Sequence, residues 1–556
     1  MKYIILPLLI VALSFSGKAQ TSISKSEIND VEISGSKPKL IVAIVVDQMR
    51  YDYLTRFENK YGAGGFKRMI KEGFNCKNNH FNYIPTYTGP GHASVFTGTT
   101  PKNHGIIAND WFDKSLNKMV NCVEDNTVEP IGTTSHDGKK SPIRMVSTTF
   151  ADENRMFTQM KGKTIGVSIK HRGAILPAGH TANAAYWFDY EHNGSGNWIS
   201  SSFYMNDLPD WVKAFNSSDI TESYFKVWNT FYDISTYHES GSDNNNFERI
   251  FKGKDTPTFP YDLKKLKDFN GNFKIITDSP YGNSLTTDFA LAAIDGEALG
   301  QDNVTDVLTI SYSSTDKVGH DFGVNSKEIE DVYIRLDKDL ERLFVTLDSK
   351  IGKGAYTVFL TADHGVVEVP LYLQSIKIPS GYIRTREFRE KLNAFILKTF
   401  KDSTLIKNIS NNQIFLNRER IKALGLDLSS VQQAIVNEII SSKNIYKAYT
   451  ATAMSTGSFA EGIEHLLQNG YNQKRSGDIL TVPYPGYIFY RKTGTTHGSG
   501  FNYDTHVPLL FFGNGIKQGE TLQKTVIPDI APTISALLGI SFPNSTTGKP
   551  LEFVLE

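Results

Sequence analysis

Five positions in this sequence carry side chains of the types that hold transition metals, and a sixth ligand is supplied by one of two later histidines: Asp47, Asp316, His320, Asp363 and His364, then His497 or His506. Asp316 and His320 stand four residues apart in TDKVGHD, close enough to share one ion where a loop enters a helical turn. Asp363 and His364 are adjacent in TADHG, and His497 and His506 both lie in THGSGFNYDTHVP. Taken singly, each has an ordinary explanation: Asp47 as a helix N-cap, TDKVGHD as a solvated loop, TADHG as a strand-ending turn. Taken together, three aspartates and three histidines make two sites of mixed oxygen and imidazole ligands. That mixture suits zinc better than calcium or magnesium, which take mostly oxygen, and catalytic zinc typically uses three protein ligands. Two such ions about 4 Å apart clamp the attacking and leaving oxygens of an in-line displacement at phosphorus.

A displacement needs a nucleophile. TYTGPGH, residues 86–92, puts two threonines before Gly-Pro-Gly. Pro90 and Gly91 favour a tight entry into a helix, so Thr88 falls at its amino end, where N–H groups and the dipole favour an anion. A hydroxyl held there beside a metal can ionise and attack phosphate. Thr86 falls earlier in the loop and His92 inside the helix, so both read as structural.

These residues must be held by something regular. KLIVAIVVDQ, KTIGVSIKHR, TDVLTISYSSTD and AYTVFLTADHG are apolar, β-branched runs of the kind buried on both faces of a parallel sheet, and each ends in charged or metal-binding side chains. Between the last two, Ile329, Val332, Tyr333, Leu336, Leu340, Leu343, Phe344 and Leu347 keep the spacing of an amphipathic crossover helix. The class is α/β, a three-layer α/β/α sandwich around a mostly parallel sheet. In such sheets ligands bind outside the carboxyl ends of the strands, so the charged ends of the four runs converge.

Two stretches read as insertions: about 187–281, rich in aromatic, Asn, Ser and Gly residues and taken as loops or a lid, and about 371–456, taken as a small subdomain. VPLLFFGNG then returns to a buried strand, and DIAPTISALLGI closes the chain with a helix.

The motifs VVDQMRYDYL, PTYTGPGHASVFTGTTPKNHGI, ANDWFD, KHRGA, STDKVGHDFG, TADHG and THGSGFNYDTHVP resemble those of the alkaline phosphatase superfamily, and closely its PafA-type phosphatases, over nearly all of the chain beyond the N-terminus. The resemblance implies that Thr88 is the nucleophile, that one zinc is held by Asp316, His320 and His497, and the other by Asp47, Asp363 and His364. It implies that His506 supports the site from outside, and that Asn109, Lys170 and Arg172 contact the phosphoryl oxygens. Chemistry agrees with the last three: a monoester dianion leaves two oxygens to be neutralised by an ammonium, a guanidinium and an amide.

The expected activity is therefore hydrolysis of small phosphate monoesters through a phosphothreonine, with two Zn2+ as cofactors. The alternative is a nucleotide pyrophosphatase/phosphodiesterase, against which Lys170 and Arg172 weigh because a diester carries one charge fewer. TGPGH lacks the Cys or Ser-x-Pro-x-Arg arrangement of sulfatases. A binding protein that merely keeps the fold does not require the whole set of nucleophile, ligands and phosphoryl contacts.

Composition sets the rest. At 556 residues and 40% hydrophobic content the chain can bury a large core, and Lys+Arg and Asp+Glu balance at 59 each, which gives no global pull toward nucleic acid. Lys2, an apolar run interrupted by Pro7, and Lys18-Ala19-Gln20 have the layout of a cleavable secretory signal over residues 1–20, followed by an irregular segment to residue 38. Export to the periplasm or medium, no membrane anchor in the mature form, and a monomer are the corresponding expectations. In an exported protein the pair Cys76 and Cys122 is expected to form a disulfide.

Overall fold

A computed structural model of the chain describes residues 37–556; the expected signal and most of the segment expected to be irregular lie outside the described residues. The apolar runs become the middle of a ten-stranded sheet. In chain order its strands are β1 (Leu40–Val46), β2 (Phe74–Cys76), β3 (Pro130–Ile131), β4 (Thr164–Ser168), β5 (Ala184–Phe188), β6 (Trp198–Ser201), β7 (Asp306–Tyr312), β8 (Tyr356–Thr361), β9 (Leu509–Gly513) and β10 (Gly519–Thr521). They lie side by side in the order β10-β2-β9-β8-β1-β7-β4-β5-β6-β3. The five from β8 to β5 are parallel, β1 pairing with β7 from Leu40↔Asp306 and with β8 from Leu40↔Tyr356. Every residue of β1, β4, β7 and β8 is buried, which is why these strands read as continuous hydrophobic runs rather than alternating ones. β9 runs antiparallel to β8.

Helices cover both faces. α1 (Thr88–Thr97) follows the threonine loop, α2 (His171–Ala178) follows β4, α3 (Tyr281–Gly296) precedes β7, and α4 (Ser314–Phe322) follows it. α5 (Lys327–Leu347) is the crossover to β8, and α6 (Ile530–Leu538) closes the chain. All eight apolar residues assigned to the stripe of α5 are buried. Ser326 caps that helix by accepting from the Ile329 N–H, a bond worth about 1 kcal/mol.

The stretch 187–281 is largely irregular, yet it adds β6 to the sheet and packs Trp198, Val212, Trp228 and Tyr261 into the main core. Residues from 371 build a separate four-stranded sheet from Ile406–Ser410, Gln413–Leu416, Ile479–Pro483 and Ile445–Thr450, with its own apolar cluster around Ile396, Ile414 and Ile435. That unit runs past residue 456, because its third strand in spatial order is contributed by Ile479–Pro483.

The expected disulfide is absent. Cys76 and Cys122 are both free and buried. Cys76 ends edge strand β2 in the main core, while Cys122 sits in a second cluster with Ile107, Trp111 and Ile175. An oxidising compartment permits a bridge but does not bring two α-carbons within reach of each other. Among the described residues no helix is long and apolar enough to cross a membrane.

Candidate active site

Asp47 follows β1, Asp363 and His364 follow β8, and Asp316 and His320 lie on α4 just after β7, so three adjacent parallel strands deliver five of the expected ligands to one end of the sheet. Their donor atoms gather into two triads. Asp316, His320 and His497 form one and Asp47, Asp363 and His364 the other, each with ligating atoms within 4.8 Å of one another. A third group among the described residues, Asp137, Glu191 and His192, is exposed or half-exposed.

The histidines are oriented alike. His320 Nδ1 lies 2.7 Å from the Thr495 carbonyl, His364 Nδ1 3.0 Å from the Gly365 carbonyl, and His497 Nδ1 2.7 Å from the Thr86 carbonyl. A carbonyl only accepts, so each Nδ1 carries the proton and each Nε2 presents a lone pair. Those lone pairs face carboxylates: His320 Nε2 is 3.1 Å from Asp316 Oδ1, and His364 Nε2 is 3.5 Å from both Asp47 Oδ1 and Asp363 Oδ2. Among the described residues Asp47 Oδ1 is buried without a hydrogen-bond partner, and Asp363 Oδ2 has only the His92 ring, 3.3 Å away. Lone pairs converging on such carboxylate oxygens repel unless a cation lies between them, and the Nδ1–carbonyl bonds are the usual outer support of metal-binding imidazoles. The donor sets therefore fit metal ions.

Thr88 is the first residue of α1, 1% exposed, with its Oγ 3.4 Å from His364 Nε2. The Gly-Pro-Gly sequence after it is a packing requirement. A Cβ on Gly91 would stand 2.2 Å from the Asp363 carbonyl oxygen, so only glycine lets the start of α1 press against the end of β8. Thr86 donates to the Ser499 carbonyl at 2.9 Å and takes a structural part.

Asn109 Oδ1 accepts from the Gly89 N–H at 2.7 Å, which leaves its amide hydrogens to point elsewhere. Lys170 is the N-cap residue of α2, and its ammonium joins the triads, bonding Asp47 Oδ2 at 2.7 Å and Asp316 Oδ2. Arg172 differs. It makes no ion pair among the described residues, and its Nε is buried with no protein acceptor.

The family profile described as type I phosphodiesterase / nucleotide pyrophosphatase matches residues 41–507. The chain is 44% identical to alkaline phosphatase PafA of Elizabethkingia meningoseptica, covering 93% of this chain and 95% of that one. It is 43% identical to a Myroides odoratus protein named calcium-transporting ATPase, over 94% and 95% of the two chains. A crystal structure of wild-type PafA superposes with a TM-score of 0.90 at 43% identity, over 94% of this chain and 99% of that one. The chain belongs to this family, in its PafA-type alkaline phosphatase branch.

Electrostatics in this PafA-type site follow from crowding carboxylates in a dry pocket. Burial, with Asp316 and Asp363 alongside, pushes the Asp47 carboxyl well above the ordinary range, against the pull of Lys170. Burial pushes Asp316 and Asp363 the same way but is outweighed, by His320 and Lys170 for the first and by the His92 hydrogen bond and Lys170 for the second, so both are held low. Burial lowers the His364 and His497 imidazoles, which keeps them neutral and fit to ligate, whereas at His320 burial is outweighed by the Asp316 carboxylate, which raises it, so that Nε2 shares either a proton or a metal ion with Asp316.

Two residues of the PafA-type site escaped the sequence reading, and one expectation fails. His92, read as structural, sets Nδ1 2.9 Å from the Thr88 carbonyl and 3.3 Å from Asp363 Oδ2, with Nε2 2.8 Å from Ser311 Oγ. Its position four residues after Thr88 on a helix was the available signal. Gln48 donates to a carboxylate of each triad, and nothing in its residue type announces this. His506 gives no support to the ligands: its ring stacks on Tyr51 and His80, and its Nε2 pairs with the Lys77 carbonyl at 2.9 Å.

Proposed function

We propose that the chain is an exported two-zinc phosphomonoesterase that transfers the phosphoryl group of a monoester to Thr88 and then to water. The observation that carries this reading is Arg172, a half-buried residue near Asp47 whose Nε is buried with no acceptor among the described residues, on the helix next to Lys170, which bonds both ligand triads. One ion would be held by Asp316, His320 and His497, the other by Asp47, Asp363 and His364. When bound, such ions supply Lewis acidity that activates the attacking oxygen and stabilises the departing one.

The chain's own residues do the rest. Thr88 Oγ, held at the amino end of a buried helix, gives up its proton and forms the bond to phosphorus as the bond to the ester oxygen breaks, and that oxygen takes up a proton to leave as the alcohol. Arg172 and the Asn109 amide accept the charge that builds on the non-bridging oxygens, and Lys170 offsets the carboxylates around them. Water then attacks phosphorus from the side the alcohol left, freeing inorganic phosphate and restoring the Thr88 hydroxyl.

The family profile's description favours a second reading, a phosphodiesterase, and the Myroides protein's name describes ATP hydrolysis. All three cleave a phosphate linkage, so substrate charge separates them. Comparing kcat/KM for a matched aryl monoester, methyl aryl diester and aryl sulfate tests the proposal. Strong preference for the monoester supports it; equal or better turnover of the diester moves the phosphodiesterase to first place.

A further inference from the structure

Gln48 follows Asp47 directly, yet it is buried and its backbone sits in the left-handed region, φ +66°. A side chain other than glycine or asparagine is strained there, and such strain persists only where the surroundings hold it. What holds it is contact with both triads at once. The Gln48 N–H donates to Asp363 Oδ1 at 3.1 Å, and its side-chain Nε2 donates to Asp316 Oδ1 at 2.7 Å. The amide oxygen lies against α4, where a Cβ on Gly319 would stand 1.9 Å from it. The left turn aims the N–H at one triad, the length of the side chain carries the amide to the other, and Gly319 clears the space.

We propose that Gln48 is a positioning residue that ties the two ligand triads together: its backbone fixes Asp363 and its side-chain amide fixes Asp316. The proposal rests on reading the triads as metal sites. Neither bond is redundant. His320 and His497 present lone pairs to Asp316 Oδ1, so Gln48 is the neutral donor that orients this oxygen, whereas Lys170 bonds the other oxygen of the same carboxylate. Backbone and side chain can be separated by mutation, because glycine keeps the N–H and prefers a positive φ.

The test is metal release from the holoenzyme. Wild type, Gln48→Met, Gln48→Gly and Gly319→Ala are dialysed against a graded series of a chelator, and zinc per chain is measured at each step together with the melting temperature of the metal-free proteins. Met keeps the length and removes the amide donor. Gly keeps the N–H and relieves the strain, and Ala at 319 pushes the amide aside while suiting the helix better than glycine. Loss of an outer-shell partner typically weakens metal binding about 10–100-fold. The expected result is that each variant releases one of its two zincs at chelator concentrations lower by that factor and keeps the second as wild type does. The metal-free melting temperatures of Gln48→Gly and Gly319→Ala are then no lower than wild type. Wild-type release of both zincs by all three variants overturns the proposal. So does equal loosening of both zincs together with a lower metal-free melting temperature, which assigns Gln48 to the fold alone. Wild type that binds no metal overturns the metal reading itself.

Discussion

Replacing Arg172 by alanine separates a residue that serves the substrate from one that serves the site. Burial alone would lower the basicity of its guanidinium, but Cys122, Asp47 and Tyr190 nearby raise it, so the group stays charged. With Nε buried and unpaired, no protein acceptor competes for that charge. A well-placed donor facing a developing oxyanion is worth about 3 kcal/mol, or about two powers of ten in rate. Coulomb's law agrees: the extra charge that distinguishes a monoester dianion from a diester, about 4 Å from a guanidinium at an effective dielectric near 20, is worth about 4 kcal/mol. Arg172→Ala should therefore lower monoester kcat/KM about 100-fold or more, lower diester kcat/KM far less, and leave zinc content unchanged. Lys170→Ala should behave differently, because its ammonium bonds Asp47 and Asp316. It is expected to lower turnover of both esters and to change zinc retention. The assay is kcat/KM for matched aryl esters, with zinc measured on the same samples. An equal fall for both esters in Arg172→Ala refutes the argument that this guanidinium reads substrate charge.

Thr88→Ala should cost several powers of ten in monoester turnover with the melting temperature nearly unchanged, whereas Thr86→Ala, which loses only its bond to the Ser499 carbonyl, should retain most activity; the reverse ranking identifies the wrong hydroxyl. Cys76 and Cys122 should resist alkylation in the native protein, react fully once unfolded, and give the same mass with or without reductant; a mass that shifts on reduction contradicts two separate thiols. Burial lifts the Asp504 carboxyl from the ordinary 3.8 to about 7. As pH rises the unfolded chain ionises first, so the folded state loses stability from about pH 4 to about pH 7 and the loss is constant above that. Asp504→Asn should thus raise the melting temperature at pH 8 much more than at pH 4, and a pH-independent difference would show that this carboxyl is ordinary in the folded state.

Much of this site is legible because its chemistry hangs on the ends of four buried strands. An apolar β-branched run that stops at Asp47, or at Thr361 before Asp363 and His364, marks both the strand and the ligand. Lys170 and Arg172 follow β4 in the same way. Gln48 was not legible, since its part depends on a left-handed backbone that glutamine does not advertise and on a gap at Gly319 reached from another element. The antiparallel course of β9 and the extent of the 371-onward subdomain were hidden for a related reason. Both are set by long-range pairing, such as Ile414 with Ile479, and periodicity reports only local structure. The cysteines show the opposite failure: the compartment argument concerned what is chemically allowed, while the cores that hold Cys76 and Cys122 decide what is geometrically available.

Thr88 is proposed to accept the phosphoryl group in a site that depends on its metals. This is tested most directly by quenching the enzyme in acid during turnover of a phosphate monoester and locating any protein-bound phosphoryl group by mass spectrometry. The metal-free enzyme and Thr88→Ala are run beside it. One phosphoryl group on Thr88 is expected in the zinc enzyme, none in the metal-free enzyme, and recovery when zinc is restored. Phosphorylation of another residue, or full monoester turnover by the metal-free protein, would contradict this role for Thr88.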